Sequence, residues 1–173
     1  ACSSQPKPPT TEMEAAEQTA SEVQNAQTNL LMDIEQKVIF GSPSSLEEAM
    51  VELNESDLAD TERGSELYYI ASELYTILYP FLSLETSNIF PPASSLYPGL
   101  FESVRNGRVT GQENSNDRFL FSMVKSLAVL FTDDEQVISE AAEILVDLYR
   151  GEKESIVPRL LLGHARDKTG EGE

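Results

Sequence analysis

The stretch DRFLFSMVKSLAVLF, residues 117–131, decides the fold class. Phe119, Leu120, Phe121, Met123, Val124, Leu127, Val129 and Leu130 make it apolar nearly all round. A helix of that character belongs at the centre of a packed body. Nothing in it follows the two-residue alternation of a half-exposed strand. It is therefore expected to be the most buried helix of the chain.

Outward from this stretch the same helical grammar recurs. Downstream, Thr132-x-x-Glu135 reads as a capping box, with Asp133 and Asp134 set against the positive end of the helix dipole. Ile138, Ala141, Leu145 and Leu148 then share one face up to Gly151. A last helix is expected from just after Ser155 to near Gly170. Upstream, Pro98 to Arg105 suits a short helix stopped by Asn106-Gly107, and a helix from about Asp60 to Tyr79 must end before Pro80. Ser45-x-x-Glu48 is another capping box, opening a helix with Leu46, Ala49, Met50 and Leu53 inward. Thr11-x-x-Glu14 opens the first helix, where Ala16, Ala20, Val23, Leu30, Ile34 and Val38 keep one stripe until Gly41-Ser42-Pro43. Only residues 80–98, with Pro80, Pro91, Pro92 and Pro98, break the pattern. They read as an ordered loop pinned by Ile89, Phe90 and Leu96.

The fold class is all-α: an irregular multi-helix bundle or a short helical-repeat array of antiparallel helix pairs. Residues 1–10 read as a flexible tether, residues 11–170 as one helical domain and residues 171–173 as a disordered end. Three prolines and small polar residues near the start cannot build a core, and Pro8-Pro9 favours the extended polyproline form.

The chain carries 30 acids against 12 bases, a net charge of −18. Between Glu12 and Glu66 fourteen acids face only Lys37 and Arg63 as bases. Such a surface repels phosphates, which argues against DNA, RNA and anionic lipid as partners. Cys2 is the only cysteine, so an internal disulfide and a thiolate-rich metal site are excluded. No apolar run is long enough to span a bilayer.

Chemistry-bearing patterns are sparse. His164, the only histidine, lies on a stripe with Val157, Leu160 and Leu161, which suits packing better than catalysis. There is no Gly-x-Ser-x-Gly elbow, His-Glu-x-x-His, Walker or dinucleotide glycine pattern. The segments 54–57 and 114–117 offer calcium-compatible oxygens without the spacing of a calcium loop, and read as turns and caps. No catalytic residue, metal ligand or cofactor is assigned. The sharper candidate is a tyrosine stripe: Tyr68, Tyr75 and Tyr79 at spacings of seven and four. Tyrosine buries a large ring while its hydroxyl keeps a hydrogen-bond partner. The stripe either packs under the loop at 80–98 or lines an exposed surface for a partner or ligand.

Two resemblances add to this. Ala1-Cys2, followed by a polar, proline-bearing run, resembles the processing site of bacterial lipoproteins. That resemblance implies a lipid on Cys2 and a location in the bacterial cell envelope, extracytoplasmic, in the periplasm or at the surface. An anchor of this kind holds through its buried methylene groups, at about 0.8 kcal/mol each. Leu162-Gly163-His164-Ala165, followed by Gly170, resembles the first helix of a tetratricopeptide repeat, where a Leu-Gly pair lets two helices approach closely. Ala71, Ala142 and Gly163 do not, however, keep that family's constant 34-residue period. The expectation is a lipid-anchored, non-catalytic interaction or scaffold module that meets another envelope protein or transporter component and no nucleic acid. The alternative is a small-ligand-binding accessory protein of an envelope transporter.

Overall fold

Proline, glycine and short polar side chains set the helix ends. The computed structural model describes residues 10–82, 91–109, 117–151 and 154–170, with side chains from residue 17 onward. Among them are seven α-helices and no strand, so the protein is all-α. The expected tether through residue 9, the disordered end at 171–173, and Ile89 and Phe90 lie outside the described residues.

Helix α1 (Thr10–Phe40) runs 31 residues, about 46 Å at 1.5 Å each. Among its described side chains only those of the C-terminal third engage the body, through Leu30, Leu31, Ile34, Val38 and Ile39. Residues 17–29 are exposed on every face. Of the inward stripe expected from Ala16, Ala20 and Val23 are exposed, Val23 by 53%, packing is seen from Leu30 onward, and the Ala16 side chain lies outside those described. The reason is length: α2 (Pro43–Glu55) has 13 residues and α3 (Glu62–Leu78) has 17, and neither can cover a helix of 31.

The turn between α1 and α2 depends on Gly41. Its φ of +74° suits glycine, and a Cβ there would lie 2.3 Å from Val157 Cγ2. Helix α2 starts earlier than its capping box suggests. Pro43 occupies the first turn, where its fixed φ is already helical, and Ser42 Oγ accepts the Ser45 amide at 3.1 Å. Ser45 and Glu48 are thus inside the helix. A short 3-10 turn (Leu58–Asp60) leads to α3, whose N-cap is Thr61. Thr61 Oγ1 accepts the Gly64 amide at 3.1 Å and donates to the Leu58 carbonyl at 2.6 Å. Gly64 is a close-approach position, since a Cβ there would sit 1.8 Å from the Leu58 oxygen.

Helix α4 (Tyr97–Arg105) follows the proline-rich segment, with Pro98 in its first turn. Leu96, expected to pin that segment, is 52% exposed; the fully buried Tyr97 pins it instead. Helix α5 (Arg118–Ser126) is the central element anticipated, with Leu120, Phe121, Met123 and Val124 buried. It does not run to Phe131 as an α-helix. At Ser126 it tightens into a 3-10 segment (Leu127–Leu130), and Phe131 N–H bonds the Ala128 carbonyl at 2.9 Å. Helix α6 (Glu135–Gly151) is capped by Asp134, whose Oδ1 accepts the Gln136 amide at 2.9 Å. Thr132, the expected cap, instead accepts the Asp134 amide at 3.1 Å, just ahead of the helix. Helix α7 (Val157–Thr169) closes on Gly170 in the left-handed region.

Consecutive helices pack on each other: α1 on α2, α2 on α3, α5 on α6, α6 on α7, with α4 between α3 and α5. One continuous core runs from Val38, Leu46, Leu67 and Ile70 through Phe101 and Leu120 to Leu145 and Leu161. The first and last helices are stitched where α1 ends. Ser155 Oγ donates to the Ile39 carbonyl at 2.6 Å, and the Ile156 amide to the Phe40 carbonyl at 3.1 Å. No helix among the described residues is long and apolar enough to cross a membrane.

Candidate functional site

The structure brings two tyrosines of the stripe, Tyr75 and Tyr79, into ring contact. Tyr75 is 2% exposed, and its hydroxyl donates to Glu47 Oε1 on α2 at 2.6 Å. Tyr79 donates to the Gly41 carbonyl at 2.6 Å, and its ring meets Tyr75 edge-on with centroids 5.9 Å apart. Tyr68 is half-buried against the core. The bond to Glu47, then burial, pushes the Tyr75 phenol above its ordinary range, and burial does the same for Tyr79. These bonds fasten α3 to α2 and to the turn before it. Tyr75 and Tyr79 are thereby held against α2 and the turn before it, and residues 83–90 of the loop expected to cover them lie outside the described residues.

Elsewhere, His164 is half-buried on α7 and the described residues bring no carboxylate to ion-pairing distance of it. Cys2 lies outside the described residues. Gly163 is exposed, and a Cβ there would meet nothing within 4 Å. It does not perform the close helix approach that the repeat resemblance implies.

A polar network that the sequence reading passed over sits where α1, α3, α4 and α5 converge. Arg63 donates to both oxygens of Asp117, at 2.7 and 3.2 Å, and to Glu35 and Glu66 at 2.7 Å each. The hydroxyl of fully buried Tyr97 donates to Asp117 Oδ2 at 2.6 Å, and Ser95 Oγ donates to Glu66 Oε1 at 2.7 Å. Burial alone would lower the Arg63 pKa; the hydrogen bonds and charges of Asp117 and Glu35 outweigh it, so the net shift is upward. Burial and the Asp117 bond push the Tyr97 phenol well above its ordinary range. Asp117 precedes α5 but makes no side-chain capping bond, because its carboxylate is committed to Arg63 and Tyr97. The sequence signal was present: Arg63 is one of two bases in the acidic half, and the buried end of a lone cation needs carboxylates. Every buried side-chain polar atom among the described residues has a partner, and this network is architectural.

An opening that combines apolar and cationic side chains lies between α5 and α6. A groove of about 660 Å³ is lined by Arg118, Phe119, Phe121, Ser122 and Lys125 from α5, and by Ile144, Asp147, Leu148, Arg150 and Gly151 from α6. Its volume is within the range of clefts that hold ligands or side chains of a partner. Half-buried Phe119 and Ile144 supply most of its apolar surface, and Phe121 and Leu148, buried but for a few per cent, form its floor. Arg118 and Lys125 stand seven positions apart on α5, about 10.5 Å along the axis. The Lys125 ammonium lies 5.9 Å from the Phe121 ring centroid, a cation–π approach that holds it beside the apolar surface. On the opposite rim Arg150 and Asp147 face each other at 4.0 Å. Three of the chain's 12 bases thus gather on one groove of a protein whose net charge is −18. The sequence shows Arg118 and Lys125 interrupting an apolar run, but only the packing of α6 brings Arg150 to them.

No family model, no curated protein and no solved structure matches the chain.

Proposed function

We propose that the protein is a tethered, non-catalytic interaction module of the bacterial envelope, with the α5–α6 groove as its docking face. One observation carries the reading: a half-apolar groove edged by Arg118 and Lys125, with Arg150 beside Asp147 on the other rim, on a protein of net charge −18. Apolar surface with a few placed charges is how docking sites combine burial with orientation. The Ala1-Cys2 resemblance supports attachment through a lipid on Cys2. The exposed part of α1 then serves as a stiff spacer that holds the body away from the anchor. The partner is another envelope protein or transporter component.

The test has two arms. A photo-crosslinking residue at Ser122, inside the groove, captures a discrete envelope partner, while the same residue at Glu143, outside its lining, does not. Labelled fatty acid is incorporated into the full-length protein and is lost in Cys2→Ser. Equal capture from both positions removes the groove from the proposal, and retained labelling in Cys2→Ser removes the anchor.

The groove volume also favours a second reading, a carrier of a small amphipathic anion. Mass spectrometry of protein released from a native purification distinguishes it, by finding one bound small molecule in near-stoichiometric amount.

A further inference from the structure

Resting on the docking reading above, we infer that the α5–α6 groove receives an amphipathic helix of a partner protein, apolar on one face and carrying carboxylates along the edge that meets α5. Three observations define that occupant. The first is backbone chemistry. Along Phe121, Ser122, Lys125, Ile144 and Asp147 the groove walls are the flanks of two helices whose backbone groups are bonded within those helices, so this stretch offers side chains only, and free backbone groups occur only in the first turn of α5 and the last turn of α6. An extended peptide laid along that stretch would bury N–H and C=O groups with nothing in the walls to bond them, whereas a helix satisfies its own.

The second is charge. Arg118 and Lys125 present cations on the α5 rim at a spacing of seven residues, which matches acids at i and i+7 on a helix lying alongside. The chain's overall −18 does not cancel this attraction. At physiological salt the screening length is about 8 Å, so the two nearby cations dominate the field felt by a carboxylate between them, while a long polyanion would still meet the acidic surface beyond.

The third is asymmetry. On the α6 rim Asp147 faces Arg150 at 4.0 Å, so that edge carries little net charge. The partner helix is therefore acidic toward α5 and neutral or polar toward α6, which orients it in the groove.

The experiment uses the full chain and fluorescent synthetic helical peptides with leucines on one face. The flanking edge carries Glu in one peptide, Lys in a second and Gln in a third; dodecanoate is a fourth probe. The Glu peptide is expected to bind best, with affinity that falls as salt rises. Arg118→Glu with Lys125→Glu weakens it by about tenfold or more and transfers preference to the Lys peptide. Arg118→Gln with Lys125→Gln gives an intermediate loss, and circular dichroism confirms that both variants remain helical. Asp147→Asn tightens the Glu peptide. Equal binding of all three peptides, or no change on charge reversal, overturns the inference. Binding of dodecanoate with the Glu peptide silent also overturns it, but leaves the groove as a binding face. Silence of every probe, with crosslinks from Ser122 and Glu143 indistinguishable, overturns both the inference and the docking reading beneath it.

Discussion

Arg63 on α3 and Asp117 at the start of α5, 54 positions apart, meet through two guanidinium–carboxylate contacts at 2.7 and 3.2 Å. Around this pair the protein joins its N-terminal helices to its C-terminal ones. The Asp117 side chain is 6% exposed and that of Arg63 31%. A half-covered cation is thus neutralised by a nearly buried anion.

Breaking that pair is predicted to be costly, because each partner leaves the other desolvated. Asp117→Ala removes the acceptor for both Arg63 and Tyr97 and should lower stability by about 3 kcal/mol in chemical denaturation. The paired change Arg63→Met with Asp117→Leu should recover much of that loss, since it removes both charges together. If the double change were as damaging as Asp117→Ala alone, the network would have a role beyond neutralising its own charges.

Alkaline pH should unfold the protein with ionisation of its tyrosines. Burial, with the nearby Glu73 charge, pushes the Tyr69 phenol from 10.0 up to about 12, and Tyr75, Tyr79 and Tyr97 are also shifted upward. Below about pH 10 these phenols are protonated in both folded and unfolded chains, so their contribution is fully present. Between pH 10 and 12 the unfolded chain loses protons that the folded chain still holds, and stability falls. Phenolate absorbance and helical ellipticity should therefore change together above pH 10, in one cooperative step. Free titration of all six tyrosines at the ordinary value, with ellipticity intact, would contradict this.

Two glycines should respond in opposite directions to alanine. Gly41→Ala places a side chain at φ +74° and against Val157, and should destabilise by about 2 kcal/mol. Gly163→Ala fills open space in the interior of α7 and should stabilise by about 0.5–1 kcal/mol. Thermal melts of the two variants measure the difference.

The exposed arm of α1 should be dispensable for folding. Val23→Glu, or removal of residues 1–26, should leave the denaturation midpoint of the body within about 0.5 kcal/mol of the parent. Ile34→Ala, by contrast, empties a fully buried site in the same helix and should cost about 2–4 kcal/mol.

Local chemistry made most of the helices legible in the chain itself. The apolar run at 117–131 announced the central element, Pro80 ended α3, and Gly41 and Gly170 ended α1 and α7, because helix periodicity and backbone freedom act over a few residues. The same range explains the small errors. Ser42 with Pro43, and Asp134, outcompeted nearby candidates for the capping role, and competition among adjacent polar side chains is settled by backbone geometry. Long-range packing decided everything else. Residue spacing marked Tyr75 and Tyr79 as large rings on one face, but only α2 and Gly41 supplied the acceptors that turned them inward. Asp117 reads as a cap in sequence and serves as the counterion of Arg63 in space. Arg118 and Lys125 become a cationic rim only when α6 brings Arg150 and the apolar wall beside them. Charge and burial are properties of neighbours, and for these residues the neighbours lie tens of positions away.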